Sequence, residues 1–163
     1  MVVFETKKAT ETEKLGWRLG QAWMGKTGSF TTLLHSNVVN HGRRRATIMA
    51  LTGELGSGKT TFVRGLAKGL GIRSPIVSPT YVFVRSYTFG QNKTFYHLDL
   101  YRIDDSNRDQ ILESIEFQDF INDLHNVVVV EWAERLKGIK NLGFRNINFL
   151  YSNKKNGRLV KFN

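Results

Sequence analysis

The stretch GELGSGKT, residues 53–60, decides the fold. It fits G-x-x-x-x-G-K-[ST], the Walker A pattern of a phosphate-binding loop. The apolar run ATIMALT (46–52) precedes it, and TTFVRGLAKGLG (60–71) follows it with apolar residues at helical spacing. A strand, a glycine-rich loop and a helix in this order are the context that supports such a loop. We therefore predict that a strand at 46–52 delivers the chain to a phosphate site and that a helix leaves it.

Other segments extend this strand–loop–helix unit. Residues 10–24 have apolar side chains at helical spacing, as an amphipathic helix does. Thr10, followed three positions later by Glu13, predicts a capping box at the start of this helix. The runs 80–87 and 94–100 are rich in β-branched and aromatic residues and predict a hairpin. VVVV (127–130) is apolar at every position, which is typical of a parallel strand covered on both faces.

The last two runs, NINFLYS and RLVKFN, flank Asn156-Gly157, a strong hairpin turn. Together these elements predict an α/β fold like that of the P-loop NTPases. Its sheet would have a mostly parallel core with antiparallel additions, flanked by helices. We expect a single domain over 1–163, with a loop insertion at 25–45, where no clean period is visible.

Composition limits the classes of function. The chain of 163 residues has no cysteine, which excludes disulfides, thiolate metal sites and a cysteine nucleophile. No apolar run approaches the ~20 residues of a membrane span, so we expect no membrane partner. The absence of cysteine fits a cytoplasmic chain, which is the location that we expect. The net charge of +10 favours polyanionic partners, whether RNA, DNA or an acidic protein surface.

The glycine-rich loop predicts specific phosphate chemistry. Gly53 and Gly58 permit turns that point backbone N–H groups at phosphate oxygens. Lys59 would reach the β- and γ-phosphates, and the hydroxyl of Thr60 would bind Mg²⁺. The predicted nucleotide-binding residues of the loop are Gly53, Glu54, Leu55, Gly56, Ser57, Gly58, Lys59, Thr60 and Thr61.

Two carboxylates are candidates for the metal and for the attacking water. Glu131 follows VVVV directly, and Asp99 follows a run in which Phe95, His97 and Asp99 share one face. One would serve Mg²⁺, directly or through water, and the other would orient the water. The sequence leaves open which does which, and a solvated strand end or an ion pair is the alternative for each. A lone strand histidine such as His97 is more often structural.

The sequence favours ATP as the nucleotide. Guanine-binding proteins of the Ras type carry N-K-x-D, and the one near match, residues 92–95, lacks the acid. A small P-loop kinase is a second possibility, but the only arginine-rich segment, 42–45, precedes the loop, which is the wrong order for a lid over donor phosphates. A third is a basic RNA-binding module that has a nucleotide site and little turnover.

Four motifs in register, GELGSGKTTFVRGLAKGLG, SPTYVFVRSY, FYHLDLYRI and VVVVEWAERL, resemble the TsaE (YjeE) family of small P-loop ATPases. The resemblance runs from about Thr10 to Arg158, interrupted by 25–45. It implies that ATP hydrolysis serves the threonylcarbamoyladenosine modification of tRNA next to the anticodon. The implied partners are the transferase TsaD and its companion TsaB, a complex that this hydrolysis would reset between turnovers, with tRNA reached through that complex.

The resemblance also implies roles for single residues. Thr80 in SPT would sense the γ-phosphate, although a proline turn is the simpler alternative. Asp99 and Arg102 match the family's HxDLYR motif, and Arg102 would neutralise transition-state charge unless it is a surface ion-pair residue. Glu131 and Trp132 match its EW motif, where Trp132 would stack on adenine or a partner unless it is a core residue.

Overall fold

This computed structural model describes residues 1–26, 45–136, 145–153 and 157–163. Seven strands form one sheet in the order β1-β7-β6-β2-β5-β4-β3. The strands are β1 (Val2–Thr6), β2 (Thr47–Gly53), β3 (Val84–Phe89), β4 (Lys93–Asp99), β5 (Val127–Glu131), β6 (Arg145–Tyr151) and β7 (Arg158–Phe162). The helices are α1 (Ala9–Trp23), α2 (Lys59–Leu70), α3 (Arg108–Ser114), α4 (Phe117–Asn122) and a short 3₁₀ helix, Ala133–Arg135. The predicted α/β class is confirmed.

The centre of the sheet is parallel. β5 pairs in parallel with β2 on one side and with β4 on the other. Glu131 at the end of β5 lies opposite both Leu51 of β2 and Asp99 of β4. The pairs β3–β4 and β1–β7 are antiparallel. The predicted parallel core with antiparallel additions is therefore confirmed, and all three central strands end at one edge of the sheet.

The described residues fall into two compact units. Among these residues, the first unit comprises 1–26, 53–76, 148–153 and 157–163, and the second comprises 45–52, 77–136 and 145–147. The first unit holds the glycine-rich loop with α1 and α2. The second holds the parallel strands and the two candidate carboxylates.

Within the first unit, α1 and α2 approach so closely that only glycine fits between them. A Cβ on Gly65 would lie 2.7 Å from the carbonyl carbon of Glu13, and one on Gly20 would lie 2.8 Å from Cα of Gly69. Real Cβ atoms do not tolerate such distances, so the two backbones are in direct contact. Helix α2, which follows the glycine-rich loop, is thus held tightly against α1.

The second unit has its own apolar core. The strands contribute alternate side chains on one face, and α4 covers them. The fully excluded members of this core are Leu98, Leu100, Ile103, Ile121, Val128 and Val130. All five residues of β5 are buried, as the VVVV run predicts.

The capping box of α1 differs from the predicted one. The helix begins at Ala9 with Lys8 as N-cap, so the box glutamate is Glu11 and not Glu13. The Glu11 carboxylate accepts the N–H of Lys7 at 2.6 Å and that of Lys8 at 3.4 Å. The prediction of Thr10 and Glu13 was wrong, because Thr10 already lies inside the first turn.

The predicted strand 80–87 is correct only from Val84 onward. The N–H groups of Val82 and Phe83 both donate to the carbonyl of Pro79, at 2.9 and 2.7 Å, which makes a turn. Phe83 has a positive φ of 62°, a conformation that interrupts an extended strand. From Val84 the hairpin with β4 forms as predicted, with Asn92 in its turn at φ 57°.

Two predicted segments fall partly outside the structure's description. Residues 27–44, which make up most of the predicted insertion at 25–45, lie outside the described ranges. Residues 154–156 of the predicted hairpin turn also lie outside them. Strands β6 and β7 are neighbours in the sheet, and Ser152 N–H donates to Gly157 O at 2.9 Å. In the part of the chain that is described, no helix is long and apolar enough to cross a membrane.

Candidate functional site

The glycine-rich loop has a backbone that requires its glycines. Gly53, Gly56 and Gly58 have φ values of 135°, 75° and 106°. Side chains with a Cβ avoid these values, whereas glycine adopts them readily. Gly58 is also the N-cap of α2, so the loop runs straight into the helix N-terminus. Backbone N–H groups at such a terminus, with the positive end of the helix dipole, favour an anion.

Lys59 is turned into this loop. The side chain is only 4% exposed. Its Nζ donates to the carbonyl oxygens of Gly53 at 2.6 Å and of Glu54 at 3.0 Å. An ammonium group this buried favours a site that an anion can enter, because a negative charge offsets the cost of desolvating the positive one.

The hydroxyl group of Ser57, in the loop, can make a further hydrogen bond. Its Oγ is fully buried and has no hydrogen-bond partner within the described residues. Buried hydroxyls in proteins nearly always have a partner, so this one fits a site that a polar ligand completes. Thr60 and Thr61 follow on the first turn of α2, half-buried. The loop therefore fits the phosphates of a nucleotide, and the hydroxyl of Thr60 is of the ligand type that suits Mg²⁺.

Asp99 is the centre of a hydrogen-bonded cluster in the second unit. Its Oδ2 accepts hydrogen bonds from Ser78 Oγ at 3.1 Å and from Thr80 Oγ1 at 2.5 Å. Its Oδ1 accepts the backbone N–H of Tyr101 at 3.0 Å. The structure thus brings together Thr80 and Asp99, which the sequence places in different motifs. Carboxylate and hydroxyl oxygens are the ligand types that suit Mg²⁺ or its water.

Glu131 is paired with His97. The His97 Nε2 lies 2.8 Å from Glu131 Oε1, and the side chains are 0% and 2% exposed. The other ring nitrogen, Nδ1, is buried and finds no partner among the residues described. His97 therefore fixes the carboxylate of Glu131 at the end of β5, beside Asp99 in the register.

Arg102 and Trp132 lie on the same unit. The Arg102 guanidinium stands 4.3 Å from the centroid of the Tyr81 ring, a cation–π contact near the surface. Trp132 is half-buried against the core, with its ring centroid 5.1 Å from that of Tyr101 and 5.6 Å from the Arg135 guanidinium. Trp132 thus has core contacts as well as a partly exposed ring.

Sequence reasoning missed several residues that act on these groups. Ser78 was noted only as part of a motif, and its hydroxyl contact with Asp99 carries no sequence signal. Tyr151 and Arg158 contact the glycine-rich loop from 96 and 102 residues away. No local pattern predicts such contacts. His97 did have a signal, because it alternates with Phe95 and Asp99 on one strand face.

Comparison with known proteins agrees with the motifs. The family model described as "Threonylcarbamoyl adenosine biosynthesis protein TsaE" matches residues 6–160. A protein of a Nostoc species named tRNA threonylcarbamoyladenosine biosynthesis protein TsaE is 43% identical over 94 residues, 55% of this chain and 54% of that protein. A Haemophilus influenzae protein of the same name is 38% identical over 95 residues, 58% and 57% of the two chains. These matches span about half the length of each relative.

The fold is also similar to that of a solved structure. Bacillus subtilis YdiB superposes with a TM-score of 0.62 over 99% of this chain and 83% of that one, at 23% sequence identity. At this identity the likeness concerns the fold alone. The family model, by contrast, covers nearly the whole chain, including both the glycine-rich loop and the two carboxylates. The chain belongs to the TsaE family.

Proposed function

We propose that this protein binds and hydrolyses Mg²⁺-ATP and that the hydrolysis serves threonylcarbamoyladenosine modification of tRNA next to the anticodon. The observation that carries the proposal is the glycine-rich loop with the Lys59 ammonium turned into it. The loop presents N–H groups and a positive charge at one helix N-terminus, which is what a polyphosphate requires. Family membership connects this site to the tRNA modification.

In this proposal the loop binds the phosphates. Lys59 exchanges the carbonyl oxygens of Gly53 and Glu54 for β- and γ-phosphate oxygens. Thr60 holds Mg²⁺, which when bound neutralises charge on the phosphates. Backbone N–H groups of the loop bind phosphate oxygens, and the Ser57 hydroxyl gains a partner that it lacks among the described residues. Together these groups place the γ-phosphate for in-line attack by water.

Asp99 and Glu131 would act on the same nucleotide. The support is the register of the parallel strands, in which Leu51 of β2 lies opposite Glu131, and the loop follows β2 directly in the chain. One of the two carboxylates holds the metal or its water, and the other orients the attacking water. In this proposal Thr80, whose hydroxyl donates to Asp99, exchanges that contact for one with the γ-phosphate.

Arg102 and Trp132 have supporting roles in this proposal. Arg102, whose guanidinium is in cation–π contact with Tyr81, would neutralise the charge that develops on the phosphates. The exposed part of Trp132 offers an aromatic face to adenine or to a partner protein. Residues 92–95 lack the acid of the N-K-x-D signature of guanine-binding proteins, which supports ATP over GTP as the nucleotide.

The energy of ATP would drive a conformational cycle. We propose that the partners are TsaD and TsaB and that hydrolysis resets their complex between turnovers, with tRNA reached through it. The net charge of +10 suits an acidic protein surface or tRNA. The composition without cysteine suits the cytoplasm, where we place the reaction.

The test is phosphate release from Mg²⁺-ATP by the purified chain, alone and with its cognate TsaB–TsaD pair. We expect slow release alone and faster release with the pair. Lys59→Ala should lower both by about 100-fold or more, since a cation that stabilises transition-state charge is lost. Lys161→Ala, on β7, is the matched control and should release phosphate as the wild type does. Release that is unaffected by Lys59→Ala would contradict the proposal.

The high positive charge favours one other function, an RNA-binding module with little turnover. That function predicts tRNA binding without ATP. The logarithm of the binding constant should fall with the logarithm of the salt concentration with a slope of about −0.7 per phosphate contact on single strands. Binding that needs neither nucleotide nor partner, together with no phosphate release above buffer, would favour it over the ATPase.

A further inference from the structure

We propose that strands β6 and β7 orient the peptide groups of the glycine-rich loop, with Tyr151 and Arg158 as positioning residues for nucleotide binding. The inference rests on the proposed function, because it assigns these two side chains to the same phosphate site. They act through the loop backbone and need not touch the nucleotide.

Two consecutive carbonyl oxygens of the loop are bound by these side chains. Tyr151 Oη, at the end of β6, donates to Leu55 O at 2.7 Å. Arg158 Nη2, at the start of β7, donates to Gly56 O at 3.4 Å. The first is a well-formed hydrogen bond, and the second is longer and weaker. Both carbonyls therefore point toward the β6–β7 side of the loop.

The direction of a carbonyl fixes the direction of the next amide. A trans peptide is planar, and its C=O and N–H point to opposite sides. The bonds here are trans. When Tyr151 holds Leu55 O, it also turns the N–H of Gly56 away from β6. Arg158 does the same for the N–H of Ser57, which points back inside the loop and donates to Glu54 O at 3.2 Å.

The glycines of the loop are packed under the same two side chains. A Cβ on Gly56 would lie 3.1 Å from Tyr151 Oη, and one on Gly58 would lie 3.4 Å from Arg158 Cδ. At the start of the loop, a Cβ on Gly53 would lie 3.1 Å from carbon atoms of Phe149 on β6. The loop thus rests against β6 and β7 at Gly53, Gly56 and Gly58.

Such a loop needs external support because it is rich in glycine. Glycine loses more conformational freedom on ordering than any other residue. A ligand that has to order the loop binds more weakly, whereas a loop that is already held in the binding conformation avoids that loss. Tyr151 and Arg158 supply this order in advance, and Arg158 adds a positive charge beside Gly58, the N-cap of α2.

The test is isothermal titration of Mg²⁺-ADP into the full chain, comparing wild type with Tyr151→Phe, Arg158→Gln and the double variant. Tyr151→Phe removes one hydroxyl from a side chain whose residue is 51% exposed, so folding should be unaffected. We expect its Kd to rise about 3- to 10-fold, the usual net effect of one hydrogen bond. Arg158→Gln should raise the Kd by a similar factor, and Arg158→Lys should restore part of the affinity through its charge.

A positioning role is separated from a structural one by two further measurements. The melting temperature without nucleotide should stay at the wild-type value in Tyr151→Phe. In phosphate release, KM for ATP should rise more than kcat falls, because the oriented amides hold phosphate both before and during the reaction. Tyr96→Phe, which removes a hydroxyl in the second unit, and Lys161→Gln, which removes a charge from β7, are controls and should bind Mg²⁺-ADP as the wild type does.

The outcomes distinguish this inference from the proposed function. If wild type binds Mg²⁺-ADP and Lys59→Ala does not, but Tyr151→Phe and Arg158→Gln bind like wild type, the positioning role is wrong and the nucleotide site stands. A loss of affinity that follows a loss of melting temperature would also overturn it. If wild type itself binds no Mg²⁺-ADP, both proposals fail.

Discussion

His97 and Glu131 form a hydrogen-bonded pair inside the second unit, with 2.8 Å between Nε2 and Oε1 and almost no exposure of either side chain. The pair joins the middle of β4 to the end of β5. Because Glu131 is almost fully buried, bulk water would not replace the hydrogen bond that a substitution of His97 removes. The identity of His97 therefore matters for stability as well as for the orientation of Glu131.

Replacing His97 with leucine should lower the free energy of unfolding by about 1–3 kcal/mol, because a buried hydrogen bond to a polar group is lost. Urea unfolding followed by circular dichroism measures it. His125→Leu is the matched control, since His125 also pairs with a carboxylate, Asp123, but at an exposed site. That variant should change stability by less than about 0.5 kcal/mol. Equal losses of unfolding free energy in the two variants would show that the buried pair contributes no more to stability than the exposed pair.

Thr80→Val should destabilise the second unit, because it removes the hydroxyl that donates to Asp99 and keeps the shape of the side chain. Hydrogen bonds to charged groups contribute about 1.5–3 kcal/mol, which is the loss we expect in urea unfolding. Phosphate release should fall as well if Thr80 senses the γ-phosphate. Thr88→Val, at an exposed position of β3, makes the same chemical change and should have little effect on either quantity. A Thr80 variant as stable and active as wild type would remove the role given to this cluster.

Gly65→Ala should destabilise the first unit despite the higher helix propensity of alanine. The added methyl would collide with the backbone of Glu13 on α1, and overpacking of this kind costs about 1–3 kcal/mol. The propensity gain of about 1 kcal/mol offsets only part of that. Thermal unfolding checks the result, with Arg18→Ala at an exposed position of α1 as the control. A stabilised Gly65→Ala variant would mean that the two helices have room to separate.

The hydrogen bonds that the Glu11 carboxylate accepts predict that the stability of the fold depends on pH. Hydrogen bonds from the Lys7 N–H, and then from the Lys8 N–H, lower the pKa of Glu11 below its ordinary 4.5. A carboxyl group whose pKa is lower in the folded state stabilises the fold above its unfolded pKa, and this contribution is lost as the pH falls through the folded value.

Glu11→Gln should therefore be less stable than wild type at pH 7, and the difference should shrink below pH about 4.5 and vanish at lower pH. Urea unfolding at a series of pH values measures this difference. Glu134→Gln, at an exposed position in the second unit, is the control for removing a charge. A Glu11→Gln difference that stays constant across this range would show that the carboxylate charge is not what caps α1.

Much of the fold was predictable because its signals are local. The P-loop pattern needs only eight consecutive residues, and the run of four valines in β5 reports burial on both faces. The start of β3 was predicted wrongly because β-propensity at 80–83 is overridden by a turn in which Pro79 O accepts two N–H groups. The capping box was displaced because the helix starts earlier than the Thr10–Glu13 pair suggests.

The candidate site was predictable in its residue types and not in its contacts. Motif spacing is enough to single out Lys59, Asp99 and Glu131. Their partners come from elsewhere in the chain, as Tyr151 does for the glycine-rich loop, 96 residues from Leu55. Such contacts depend on sheet order, and the order β1-β7-β6-β2 follows from tertiary packing rather than from any local pattern.

A reconstituted modification reaction tests the proposed ATPase cycle most directly. Purified TsaD and TsaB, tRNA, a threonylcarbamoyl donor and Mg²⁺-ATP are combined with the wild-type chain or with Lys59→Ala, and modified tRNA per TsaD molecule is counted over time. Wild type should support many modified tRNAs per TsaD, whereas Lys59→Ala should stop near the first turnover. Continued turnover with Lys59→Ala, at the wild-type rate, would contradict a role for ATP hydrolysis in resetting the complex.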